Sequence, residues 1–335
     1  MYQPETYGIA LLLMLLSMIC WGSWANTLKL TPGWSFQLFY WDYAAGILLM
    51  SLLWGVTLGS VNGGVSSFFA NLRQADSRHL LLAIAGGVVF NLANVMLVAA
   101  IDIAGMAVAF PIGIGLALVV GVLLNFLIAP AGSPLLLFAG VSLVVAAILV
   151  DALAYRRRET VKLGVSAKGI QISVACGILM GLFYPLVSKA TAGGHSLGPY
   201  AVAFVFSVGV AVCTLPVNYF MMKRSITGAA AVGFRDYFGG RPSWHVWGLL
   251  GGAIWCTGAV FNFVASNAQM VGPAVSYAIG QGATMISAFW GVFVWREFKT
   301  APANARRLLP FMFALFVAGL LLVAIAPLFG PDQLP

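Results

Sequence analysis

The sequence predicts an all-α polytopic membrane protein with ten transmembrane helices in a 5+5 inverted repeat. Three observations predict it. Of 335 residues, 61% are hydrophobic and 8% charged, with a mean hydropathy of +0.97, whereas soluble domains carry about 25% charged residues. A chain so poor in charge cannot cover a water-facing surface of its size, so lipid is its solvent. Ten apolar segments, each long enough to cross about 30 Å of hydrocarbon, punctuate the chain. The third observation is that the sequence repeats itself once.

The segments are 7–26, 36–58, 80–99, 105–127, 134–152, 168–190, 199–221, 244–267, 271–295 and 306–327. They are continuously apolar, without the alternation of a barrel strand, so helices are the spanning structure that satisfies their backbone. Their breaks have local causes: Thr31, Pro32 and Gly33 after the first, Ala131 to Pro134 before the fifth, Gly198 and Pro199 before the seventh, and Gly272 and Pro273 between the eighth and ninth. Met1 to Tyr7 contains no Lys or Arg, and no A-x-A-like site follows the first apolar run, so this run reads as a retained helix.

Every Lys and Arg except Arg73, Arg78 and Lys189 falls on the side of the loops that follow odd-numbered helices. The positive-inside rule makes that side cytoplasmic and both termini extracytoplasmic. The protein is expected to be multi-pass in a cell membrane, inner or plasma. The +8 formal charge is explained by this loop bias, with no basic soluble face for nucleic acid. Cys20, Cys176, Cys213 and Cys256 each sit in an apolar run without CxxC spacing, which excludes a zinc or disulfide framework.

The repeat is carried by Gly105-Met-Ala-Val-Ala-Phe-Pro-Ile-Gly-Ile-Gly115 and Gly272-Pro-Ala-Val-Ser-Tyr-Ala-Ile-Gly-Gln-Gly282, identical at six of eleven positions. Gly86-Gly87 answers Gly251-Gly252 in the preceding helices. Residues 1–155 and 168–335 form the two five-helix units, with 156–167 a cytoplasmic linker. Five is odd, so the second unit enters the membrane inverted, a recurrent design of secondary transporters. Gly113, Ala117, Gly121 and Gly280, Thr284, Ala288 place small residues at matching spacings, read as helix-packing faces.

Polar groups at membrane depth need partners or a cavity. Those that could bind a solute are Trp24, Asn91, Asn94, Tyr184, Asn262, Tyr277, Gln281 and Thr284. Amides offer donors and acceptors, and aromatic faces offer stacking, a set that suits a planar uncharged solute and equally a sugar. The competing reading makes the Trp and Tyr an interfacial belt and the Asn interhelical glue. Asp42 is the sharpest ionisable candidate. It is open to three readings: a proton carrier, an ion pair with Lys29, or an acid complementing a helix N-terminus. Glu297 is expected to be solvated at the interface. No HExxH, GxSxG or GxxxxGK[ST] occurs and His79, His195 and His245 are scattered, so neither an enzyme, a metal site, a cofactor nor an ATP-driven pump is expected.

Cys20-Trp-Gly-Ser-Trp-Ala-Asn-Thr-Leu-Lys29, followed by Phe36-Gln-Leu-Phe-Tyr-Trp-Asp-Tyr43, resembles the ureide permease family of the drug/metabolite transporter superfamily, near the glucose/ribose porters. The segment Gly272 to Glu297 is similar as well. The resemblance implies a ten-helix inverted-repeat symporter that takes up allantoin, uracil, xanthine or related oxo-heterocycles with protons. Plant members carry a long loop between the fifth and sixth helices; Tyr155 to Ala167 is short here, as in a bacterial member. The expected partners are a small-molecule substrate, protons and the bilayer, in a monomer or homodimer. The alternatives are a sugar porter of the same fold and a non-transporting receptor or assembly subunit.

Overall fold

A computed structural model describes residues 1–61, 67–158, 167–224, 230–268 and 270–329, with the backbone alone at Asp102, Met106 and Ala107. Ten helices are long and apolar enough to cross a membrane: α1 (Tyr7–Lys29), α2 (Phe36–Ser60), α3 (Ser77–Ile101), α4 (Val108–Ile128), α5 (Pro134–Arg158), α6 (Ala167–Ala190), α7 (Pro199–Lys223), α8 (Pro242–Ser266), α9 (Pro273–Val294) and α10 (Ala303–Phe329). The described residues contain no strand. The expected segments are all present. The largest boundary error is in α5, which continues through Arg156, Arg157 and Arg158 rather than ending at 152. Cationic side chains are favourable at a helix C-terminus, so the basic run extends the helix instead of starting the linker. The linker residues 159–166, including Lys162, lie outside the described residues.

The helix starts follow local chemistry. Thr6 caps α1 by accepting from the Ile9 amide, and proline occupies the first turn of α7, α8 and α9, where its missing N–H is no loss. Gly105 and Gly272 take positive φ values of 78° and 77°. Glycine adopts that left-handed backbone without steric penalty, so the chain turns in the same way ahead of α4 and of α9. Both helices also contain a π-turn, at Pro111–Gly115 and Trp290–Val294.

Packing contacts come in pairs. A Cβ on Gly46 of α2 would stand 2.2 Å from Leu249 O of α8, and one on Gly252 of α8 would stand 2.0 Å from Tyr43 O of α2. Between α7 and α3 the arrangement recurs: Gly209 against Ile84 O at 2.3 Å, and Gly87 against Phe206 O at 2.0 Å. In each case glycine brings two backbones to a separation that no side chain would permit. Likewise α3 packs on α6 and α8 on α1, while α4 packs on α6 and α9 on α1. The helices α5 and α10 meet at Gly140 and Gly319, each beside the other's carbonyl. The interior of the bundle is filled by rings, with Tyr40, Tyr43, Tyr184, Tyr277, Phe183 and Phe206 all buried. Leu12, Leu49, Leu127, Leu135 and Leu321 are exposed on the outside, as a lipid-facing surface requires.

Candidate functional site

A cavity of about 420 Å³ lies within the helix bundle, lined by residues of α1 to α6, α8 and α9 together with Trp295 and Glu297 just beyond α9. That volume is within the range of small-molecule sites. Its inner wall is aromatic and apolar: Trp21, Trp24, Phe90, Phe110, Phe183 and Trp255. Trp255 is fixed by Phe90 at 4.3 Å between ring centroids and by Trp21 at 6.0 Å. Trp21 Nε1 also donates to Trp255 O. Trp24 rests on Tyr43, with centroids 4.6 Å apart.

Asn94, Gln281 and Thr284 bring amide and hydroxyl groups into this wall. Asn94 lines the cavity while its Nδ2 donates to Tyr40 Oη at 3.1 Å. Tyr40 in turn donates to Asn91 Oδ1 at 2.8 Å, which also receives Thr214 Oγ1 at 3.2 Å. Asn94 is therefore held by a chain of bonds joining α2, α3 and α7. Gln281 lines the cavity, and its side-chain amide has no hydrogen-bond partner among the described residues. Thr284 lies beside it, donating to Gln281 O. The polarity of Gln281 is thus unspent inside the fold.

The cavity leads toward the helix ends on the side of the basic loops, where Asn26, Lys29, Asp151, Tyr155, Trp295 and Glu297 complete its lining. Glu297 gathers three donors there: Lys29 Nζ at 2.7 Å, Tyr155 Oη at 3.0 Å and Arg158 Nη1 at 3.0 Å. Burial pushes this carboxyl up, but the bonds and charge of Lys29, with those of Tyr155 and Arg158, outweigh it and hold Glu297 below the ordinary carboxylate value. Lys29 and Arg158 also stand over the rings of Trp295 and Tyr155.

Toward the opposite helix ends lies a buried, hydrogen-bonded cluster. Tyr184 Oη donates to Asn262 Oδ1 at 2.5 Å, and Asn262 is tied to Ser276 through side chain and backbone. Tyr277 Oη reaches Ala117 O and Met180 O, both at 3.2 Å. Ser188 donates to Asn125 Oδ1. These groups are buried, and their polar atoms are satisfied within the protein, as a dry plug requires.

The structure thus divides the residues picked out in the sequence. Trp24, Asn94, Gln281 and Thr284 line the cavity, and Lys29 lies at its polar end. Tyr184, Tyr277 and Asn262 belong to the plug, while Asn91 supports Asn94 from behind. Three expectations need correction. Asp42 does not pair with Lys29: its oxygens take Tyr237 Oη at 2.6 Å and His245 Nδ1 at 2.9 Å, because the turn carrying Phe234–Phe238 folds over the end of α2. Glu297 is not left to solvent alone: half-buried, it bridges Lys29 of α1 and Tyr155 and Arg158 of α5. Gly280, Thr284 and Ala288 do more than pack helices, since all three line the cavity.

Asp151 and Tyr155 were missed. They are one helical turn apart on α5, so they share a face. The available signal was an acidic residue within an apolar run, which is by default a candidate functional group in a membrane helix.

Ten spanning helices around a central polar-aromatic cavity define a multi-pass membrane transporter of small molecules. The family model described as "Sugar transport protein" matches residues 46–327, and the chain belongs to that family. It is similar over nearly its whole length to the ureide permeases of Arabidopsis thaliana. Ureide permease 1 is 25% identical over 382 residues, covering 95% of this chain and 96% of the relative. Ureide permease 4 is 24% identical over 392 residues, covering 95% and 97%. These relatives are permeases, and the chain is a transporter rather than an enzyme. A solved structure described as "Crystal structure of protein" superposes with a TM-score of 0.65 at 16% identity, covering 93% of this chain and 95% of that one, which shows a shared fold.

Proposed function

We propose that this protein is a secondary active transporter taking up a small planar solute with adjacent N–H and C=O groups, of the ureide or nucleobase kind (allantoin, uracil, xanthine), with protons. The observation that carries the reading is Gln281, whose unpartnered amide projects into a cavity walled by Trp24, Phe90 and Trp255. An amide presents a donor and an acceptor side by side, the complement of a lactam or ureide edge. Aromatic rings in the cavity wall favour a flat ligand. The names of the ureide permease relatives support the same class.

Transport across the bilayer follows if residues 1–155 and 168–335 are inverted copies that rock about the cavity. The paired glycine contacts of α2 with α8 and of α7 with α3 support that reading. In this conformation the plug of Tyr184, Tyr277 and Asn262 lies on one side of the solute site and the polar end on the other. The charge bias of the loops supports a polar end facing the cytoplasm and both termini outside the inner or plasma membrane.

A sugar is the second reading, favoured by the description of the matching family; hexoses too bind between indole faces and amides. Counterflow in proteoliposomes separates the two. Exchange of labelled allantoin or uracil, with no exchange of labelled glucose or ribose, is the expected result. Exchange of sugar alone would replace the ureide reading.

A further inference from the structure

Asp151 stands apart from the other acids around the cavity. It lies on α5 within a membrane-spanning helix, is 8% exposed, and lines the cavity. Its Oδ1 is buried without a hydrogen-bond partner among the described residues. The cations nearby are committed elsewhere. Lys29 and Arg158 both bind Glu297, and Tyr155, one turn along the same helix, donates to that carboxylate too. Arg306 and Arg307, near the start of α10 packed along α5, are exposed; the described part of α4, which also touches α5, contributes no charged residue.

An ionised carboxylate without a counter-charge is costly in an apolar interior, and such a group neutralises by taking a proton. Glu297, with a full set of donors, has no such need. Two carboxyl groups thus line one cavity in different surroundings: Glu297 is held by three donors, and Asp151 Oδ1 has no hydrogen-bond partner among the described residues.

We infer that Asp151 is the proton-binding group of this transporter, loading and releasing H⁺ at its carboxyl oxygen through the same cavity that admits the solute. The inference rests on the transporter reading above and moves the coupling role from Asp42, both of whose oxygens are engaged, to Asp151. The step is a plain protonation: an O–H bond forms at a carboxylate oxygen with a proton from water on the acidic side, and the proton returns to water on the other.

The test uses purified full-length protein in proteoliposomes with labelled allantoin and labelled uracil as probes. A gradient of one pH unit supports about tenfold accumulation per proton carried. Wild type is expected to approach that ratio, Asp151→Glu to retain accumulation, and Asp151→Asn to fall to a ratio near one while still exchanging label at equal pH. Accumulation by Asp151→Asn at the wild-type level, or wild-type accumulation driven by a sodium gradient at equal pH, would overturn the proposal. Infrared difference spectra during a pH titration give a readout independent of solute. Wild type should show a protonated-carboxyl C=O band that is missing in Asp151→Asn. Absence of that band from wild type refutes the site even if the variant does not fold. Its presence without exchange of either probe would refute the ureide reading and leave the proton site standing.

Discussion

The ring of Tyr277 occupies the space that a side chain at Gly121 would fill: a Cβ there would stand 2.2 Å from Cε1. Tyr277 cannot retreat freely, because its hydroxyl is bonded to Ala117 O and Met180 O. This contact joins α4 to α9. Gly121→Ala is therefore expected to destabilise the protein by about 1–3 kcal/mol, the usual range for overpacking a filled interior. Gly115→Ala, where a Cβ would meet nothing within 4 Å, is the control. Thermal unfolding in detergent should separate the two variants; equal melting temperatures would mean that Tyr277 is not clamped there.

Gln281→Ala removes the one cavity amide that has no internal partner. It leaves no protein group newly unpaired, so the fold should keep its melting temperature. Solute affinity should drop by about tenfold, equivalent to ~1.4 kcal/mol. Ligand-induced thermal shifts with allantoin and uracil report both quantities at once. Unchanged affinity would take Gln281 out of the site.

Asn94→Ala differs because Asn94 has a partner. Its loss leaves Tyr40 Oη without the incoming Nδ2–H but still donating to Asn91. A net loss of about 1 kcal/mol of stability is expected from one buried hydrogen bond, together with weaker solute binding. A melt that is unchanged while affinity falls would show that the Tyr40 network does not depend on Asn94.

Asp42 and His245 form a pair joining α2 to α8, with Tyr237 as the third member. Burial first, then the adjacent Asp42 carboxyl, pushes the Tyr237 phenol above its ordinary range, so it stays a donor. Asp42→Ala and His245→Ala should each lower stability, and the double variant should lose less than the sum, with a coupling of roughly 0.5–3 kcal/mol. Additive losses would show that the pair is not energetically linked. Equal-pH counterflow and pH-driven accumulation should both persist in Asp42→Asn if its role is structural.

Glu297 sets an acid limit on the polar end of the cavity. Its folded-state value lies below the ordinary 4.5, so the native protein binds fewer protons than the unfolded chain in that window. Its contribution is complete above about pH 4.5 and fades as pH falls through the lower, folded value. Because the Lys29 side chain is 46% exposed, solvent screening limits the effect to about 1 kcal/mol. Glu297→Gln should flatten the decline of melting temperature on acidification. A variant as acid-sensitive as wild type would place the acid sensitivity elsewhere.

The architecture was legible in the sequence because it follows from local quantities. Segment length and the paucity of charge set ten spans, and the glycine runs at 105–115 and 272–282 marked where the backbone breaks alike in both halves. Half of the site was legible in the same way: Trp24, Asn94, Gln281 and Thr284 are polar or amphipathic groups in the middle of apolar runs. Their companions Tyr184, Tyr277 and Asn262 look the same in sequence, yet they fill the plug. Periodicity gives the face of a helix but not which neighbour that face meets.

The sequence by itself determined the solvent, the number of helices and the side on which positive charge collects, since each depends on composition within a span. Tertiary structure alone decided who pairs with whom. Lys29 meets Glu297, 268 positions away along the chain, and Asp42 meets His245, while Asp151 lines the cavity with no hydrogen-bond partner at Oδ1 among the described residues. Partner choice at membrane depth depends on which helices touch, and that is settled by backbones closing on glycines such as Gly46, Gly87, Gly209 and Gly252, a property of the assembled bundle that no single segment carries.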